Sequence, residues 1–112
     1  MKIAIPMAEG KLTAHFGHCK EFAFVDVDEV TNRINGVETF TPPPHEPGVL
    51  PKWVSEKGAK LVIGGGMGMM AQNMFKSNGV DVVVGAPSKR PEEIVAEYFD
   101  GTLVSGQNAC DH

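Results

Sequence analysis

The passage from Lys60 to Gly79 constrains this chain more than any other. Residues 60–64, KLVIG, form an apolar run too short for a helix and read as a fully buried strand. Gly64-Gly65-Gly66-Met67-Gly68 follows without a spacer, then residues 69–78 form a helix that ends at Gly79. Residues 80–85, VDVVVG, are the next buried strand. A strand, a glycine turn, a helix and a second strand make a right-handed crossover unit, which sends the chain into a layered α/β architecture.

The flanking segments fit the same layers. Residues 2–6, KIAIP, read as a first strand, and residues 8–20, with two Gly, two His and a Cys, as a loop. Residues 21–27, EFAFVDV, are a second strand, apolar on both faces at its start and therefore central. Asp28 to Asn32 turn the chain into a third strand at 33–40, RINGVETF. Asn35-Gly36 is placed there as a bulge, because a turn at that point leaves too short a return strand. Residues 41–48 hold four prolines and make a stiff loop carrying His45. A helix starts near Leu50 with Pro51 in its first turn, Trp53 and Val54 facing the core, and Gly58 at its end. Pro91 opens a last helix with Glu92 and Glu93 in its first turn, and Thr102-Leu103-Val104 add a short edge strand. The order is β-β-β-α-β-α-β-α, a mixed five-stranded sheet with helices on its faces. Residues 1–105 form one domain and residues 106–112 a tail.

Composition closes off several functions. With 10 Lys+Arg against 14 Asp+Glu the net charge is −4, and the basic residues are scattered, so no nucleic-acid partner is expected. No apolar run approaches a membrane span, and Met1-Lys2 leads straight into the first strand without a leader pattern; no membrane is expected either. Two cysteines, Cys19 and Cys110, are too few for a disulfide scaffold, and a reducing cytoplasmic setting follows.

Three groups of residues carry the chemistry. The glycine turn either lets a helix pack close to the sheet or presents backbone N–H groups to an anion at a helix N-terminus. Gly66-x-Gly68-x-x-Ala71 satisfies a dinucleotide fingerprint on paper, but the strand after it lacks the acidic end that reading needs. A small phosphorylated or nucleotide ligand on Gly64–Gly68 is the alternative to a cluster. Met67, Met70 and Met74 share one helical face, so Met70 and Met74 read as core, while Met67 and Met69 offer soft sulfur to a pocket. His15-Phe16-Gly17-His18-Cys19 puts three soft or borderline ligands into five residues, yet lacks the second pair that structural zinc requires. His18 and Cys19 are the candidate metal ligands. No nucleophile–base pair or paired carboxylates stand out, and the first strand lacks the buried acid of a nuclease, so no catalytic residue is assigned.

The opening KIAIPM, then Thr13-Ala14-His15-Phe16-Gly17-His18, then Pro47-Gly48 with Trp53, then VIGGGMGMMAQNMF and Gly79-Val80-Asp81-Val82 resemble the dinitrogenase iron–molybdenum cofactor biosynthesis family. The resemblance runs from Met1 to about Tyr98. It implies an RNase-H-like three-layer fold with a mixed five-stranded sheet, and a non-catalytic protein that binds or carries a metal–sulfur cofactor. Within the family the pattern is most similar to members that hold a molybdenum–copper sulfide cluster without covalent attachment. An iron–molybdenum or other metal–sulfur cofactor is the broader expectation, with cofactor-assembly or cell-division-type operon proteins as partners. With sheet order 3-2-1-4-5, the loop carrying His15, Phe16, Gly17, His18 and Cys19 faces the turn carrying Gly65, Gly66, Met67, Gly68 and Met69 at a topological switch point, with His45 on a lid. Because the net charge repels an anion, the turn's dipoles and Lys89-Arg90 must supply the attraction.

Overall fold

The computed structural model describes residues 1–14, 16, 19–44, 46 and 48–103. His15, Gly17, His18, His45, Val104, Cys110 and His112 lie outside the described residues, as does the whole expected tail.

Among the described residues six strands and three helices follow one another: β1 (Lys2–Ala8), β2 (Lys11–Leu12), β3 (Glu21–Val27), β4 (Ile34–Phe40), α1 (Val49–Glu56), β5 (Ala59–Ile63), α2 (Met69–Ser77), β6 (Asp81–Val83) and α3 (Pro91–Asp100). The sheet order is β4-β3-β1-β5-β6, which is the expected 3-2-1-4-5 path, with β2 added beside β1. Among the described residues the sheet therefore has six strands rather than five. The extra one arises because Glu9 and Gly10 both take positive φ (57° and 80°), the geometry of a two-residue hairpin turn, and this pairs Ala8 with Lys11. The sheet is mixed: β1 is antiparallel to β3 and parallel to β5, and β6 is parallel to β5.

The β3–β4 hairpin closes through Asp28, whose Oδ1 accepts the Val30 N–H at 2.8 Å while its carbonyl accepts the Asn32 N–H. The pairing jumps from Asp26 with Gly36 to Val27 with Ile34, leaving Asn35 as the extra residue of a bulge, as the spacing predicts. Pro51 and Pro91 both lie in first helical turns. Three expectations are corrected. Lys60 is exposed within β5, so that strand is not buried throughout. β6 is three residues long and half-buried, because it is an edge strand. Thr102 and Leu103 form no strand; their N–H groups fold back onto the Glu97 carbonyl at the end of α3.

The strands alternate side chains between two cores. On one face Ile3, Ile5, Val25, Val27, Leu61 and Ile63 pack against Ile94 and Val95 of α3. On the other, Phe22, Phe24 and Val62 pack against Leu50 and Val54 of α1 and Phe75 of α2. Trp53 is half-buried there, edge-on to Phe22 and Phe24. Among the described residues, no helix is long and apolar enough to cross a membrane.

Candidate functional site

Strands β1, β5 and β6 run parallel, so the segments that leave them emerge at one edge of the sheet. These are residues 9–20, 64–68 and 84–90. Their backbones are stitched together. The Phe16 N–H donates to the Gly66 carbonyl at 2.9 Å, the Gly85 N–H to the Gly65 carbonyl at 2.7 Å, and the Ala86 N–H to the Gly64 carbonyl at 3.1 Å. The third segment also holds the first: the Leu12 N–H donates to the Lys89 carbonyl at 2.9 Å, and the Ser88 hydroxyl donates to the Leu12 carbonyl at 2.6 Å. Nothing local in the sequence marks Ser88 or Gly85 for this role.

The expected meeting of the His-Phe-Gly loop and the glycine turn is thus a backbone contact. Phe16 is half-buried, its ring edge-on to Phe22 and Phe75 with centroids 6.1 and 5.7 Å apart. The ring seats the loop on the α1/α2 core. Cys19 ends the same loop, buried, and its N–H donates to the Phe16 carbonyl at 3.2 Å. Burial pushes its thiol up to about 11, against a smaller opposing effect of a backbone hydrogen bond. At neutral pH this is a neutral thiol rather than a ready thiolate.

The methionines sort differently from the sequence expectation. Met67 is fully buried and packs into the α1/α2 core rather than lining an open pocket. Met70 was expected in the core but is 69% exposed, and Met69 is 62% exposed. The reason is phase. Met67 precedes the helix, so counting i+3 from it misplaces the inward stripe, which runs through the half-buried Ala71 and Met74 and the buried Phe75. Gly68 is the N-cap of α2 with no side chain capping it, and the first turn holds no acid. The Gln72 amide, unnoticed in the sequence, folds back and donates to the Met67 carbonyl at 2.9 Å. Its own N–H makes the first helical bond, to Gly68. The leading N–H groups of a helix have no partner within it, so this turn presents positive dipole to the edge where the loops meet.

Past Glu9 at its start, the first segment carries no acid, and residues 64–77 contain no Asp or Glu either, in a chain of net charge −4. Lys11 and Lys20 are exposed. Lys89 and Arg90 are committed elsewhere, Lys89 to Glu97 at 2.7 Å and Arg90 to Glu93 at 3.4 Å. Their charge is already balanced, which corrects the expectation that they supply the attraction. Among the described residues no group of three or more His, Cys, Asp or Glu stands together in a metal-holding arrangement.

Residues 1–101 match the sequence pattern described as dinitrogenase iron–molybdenum cofactor. The chain belongs to that family. Among solved structures it is similar to PH0822, with 32% identity, a TM-score of 0.82, and 95% of this chain and 96% of that one covered. It also superposes on the apo form of the orange protein from Desulfovibrio gigas, with 20% identity, a TM-score of 0.70, and 96% and 93% covered, a likeness of fold. The uncharacterized protein MJ0580 of Methanocaldococcus jannaschii is 28% identical over 106 residues, covering 92% of this chain and 89% of its own length. The family assignment spans all three site segments.

Proposed function

We propose that this protein is a non-catalytic cytoplasmic carrier of an anionic metal–sulfur cofactor, held without covalent attachment at the edge where residues 13–19 meet Gly65–Met69. Family membership across residues 1–101 carries the reading. On its sheet order the reading takes the fold as RNase-H-like. The subtype proposed is a molybdenum–copper sulfide cluster, after the family members that the sequence most resembles.

The chemistry of the described residues supports this over thiolate coordination. A preformed sulfide cluster is already saturated with sulfur and carries negative charge; it needs positive potential and a polarizable wall. The uncapped start of α2, two segments without an acid past Glu9 and the exposed Met69 thioether supply those. Burial pushes the Cys19 thiol up to about 11, so a metal taking it as a ligand has to displace its proton, which makes it a secondary rather than a primary anchor. The dipole contributes about 0.3–1 kcal/mol per exposed charge and up to about 2 where partly buried, so several groups must act together. His15, Gly17, His18 and His45 belong to the proposed site by their place in the sequence, with His18 and Cys19 as secondary ligands.

The test is uptake of tetrathiomolybdate with Cu(I), followed by visible charge-transfer absorption, in wild type and variants. Gly66→Asp, which adds charge and bulk at the turn, costs more affinity than Cys19→Ala, and Cys110→Ala costs least. Loss of uptake in Cys19→Ala with uptake retained in a folded Gly66→Asp means thiolate ligation instead. Stabilisation by nucleotides, with no response to the metal reagents, favours the phosphorylated-ligand alternative.

A further inference from the structure

Three glycines of the turn have defined surroundings, and they differ sharply. A Cβ built on Gly68 meets nothing within 4 Å. On Gly64 it meets the Met67 Cε at 3.6 Å and the Pro6 Cγ at 3.7 Å, ordinary contacts with side-chain atoms. On Gly65 it meets the Ala14 Cα at 2.8 Å, the Ala14 carbonyl oxygen at 3.0 Å and the Thr13 carbonyl oxygen at 3.1 Å. All three of those atoms are backbone, so no rotamer change relieves the collision. Gly65 does not lie in the left-handed region, so conformation does not demand a glycine here; space does.

We infer that Gly65 is the positioning residue of the site: its missing side chain sets how closely Thr13, Ala14 and Phe16 seat on the glycine turn. The turn itself cannot retreat. Gly85 and Ala86 hold the Gly65 and Gly64 carbonyls from the β6 side, and the Gly64 N–H is given to the Val83 carbonyl at 2.9 Å. An added methyl group must therefore displace the opposite loop, beginning with Thr13 and Ala14. The first bond to strain is the Phe16 N–H to the Gly66 carbonyl. Phe16 and Cys19 then shift against the start of α2, and a site assembled from two segments tolerates only about 0.5 Å of such slack. The consequence for a ligand rests on the carrier function proposed above; the loop contact itself does not.

The experiment compares Gly65→Ala with Gly36→Ala, a glycine of β4 outside the site segments where a Cβ meets nothing within 4 Å. Two readouts are taken: NMR hydrogen exchange of the Phe16 amide in the ligand-free protein, and uptake of tetrathiomolybdate with Cu(I). In Gly65→Ala the Phe16 amide exchanges at least about tenfold faster and uptake weakens by about tenfold, while Gly36→Ala stays within about twofold of wild type on both. Wild-type Phe16 protection together with wild-type uptake in Gly65→Ala overturns the assignment, as does equal damage from Gly36→Ala. If the wild type takes up no probe, the carrier function falls, and the Phe16 amide alone decides for or against Gly65. If Gly65→Ala does not fold, the wild type decides: a strong NOE between the Gly65 and Ala14 Hα protons supports the contact, and its absence overturns it.

Discussion

The two faces of the sheet are built from different materials. The face under α3 is mostly aliphatic, with Ile3, Ile5, Val25, Leu61, Ile63, Ile94 and Val95 at its centre, Met7 buried among them and Phe99 packed against it. The face under α1 and α2 is built round aromatic rings: Phe22, Phe24 and Phe75 are buried beside Met67 and Cys19, with Phe16, Phe40 and Trp53 packed against them. The described residues with candidate ligand chemistry fall on the second face or at its rim. The comparison teaches that the α3 face supplies stability, whereas the aromatic face both stabilises the chain and seats the candidate loop. Truncations on the two sides should therefore differ in whether they reach the candidate loop.

The largest effect is expected from Phe22→Ala. Phe22 is fully buried and touches the rings of Phe16, Phe24 and Trp53. Its truncation costs about 3–5 kcal/mol in chemical denaturation and also loosens Phe16, so cluster uptake falls in the fraction that remains folded. On the other face, Ile94→Val costs about 0.5–1.5 kcal/mol and leaves uptake unchanged. If uptake falls as much in Ile94→Val as in Phe22→Ala, the faces are not functionally distinct.

Cys19 sharpens the comparison through pH. Its folded pKa, raised from 9.0 to about 11 chiefly by burial, lies above its unfolded value. Between those values the unfolded chain loses the proton while the folded chain keeps it. Stability is therefore fully present below about pH 9 and declines as pH rises toward 11. Cys19→Ala removes that part of the decline, measured as the difference between the two denaturation curves across the alkaline range. The smallest effect is expected at the exposed Arg90–Glu93 pair beside α3: Glu93→Gln changes stability by less than about 0.5 kcal/mol, and added salt shrinks even that.

Much of the architecture is legible in local chemistry. Pro51 and Pro91 mark helix starts because a proline there loses no helical bond, and Asn35-Gly36 marks the bulge because the strand must continue past it. The β3–β4 hairpin and the β5-to-β6 crossover follow from the same local signals, whereas the full sheet order came with the family resemblance. β2 was not legible, because two residues show no periodicity and its turn places Glu9, an unusual choice, at positive φ. The exposure of Met70 was hidden by phasing the helix from a residue outside it. In the site, the facing of the two loops was readable from topology, but its intimacy was not. The 2.8 Å approach at Gly65 and the bonds through Ser88 and Gly85 depend on tertiary geometry that no spacing records. The pairing of Lys89 with Glu97, eight residues later on α3, likewise removed a cation that sequence order alone left available.

The most direct test of the central claim is elemental analysis with visible spectroscopy on the protein isolated from its native cell. The account predicts a coloured protein with sulfide-to-metal charge-transfer bands, and molybdenum and copper in stoichiometric amounts that are lost on denaturation. A colourless, metal-free protein, stabilised by a nucleotide and indifferent to tetrathiomolybdate with Cu(I), would contradict it.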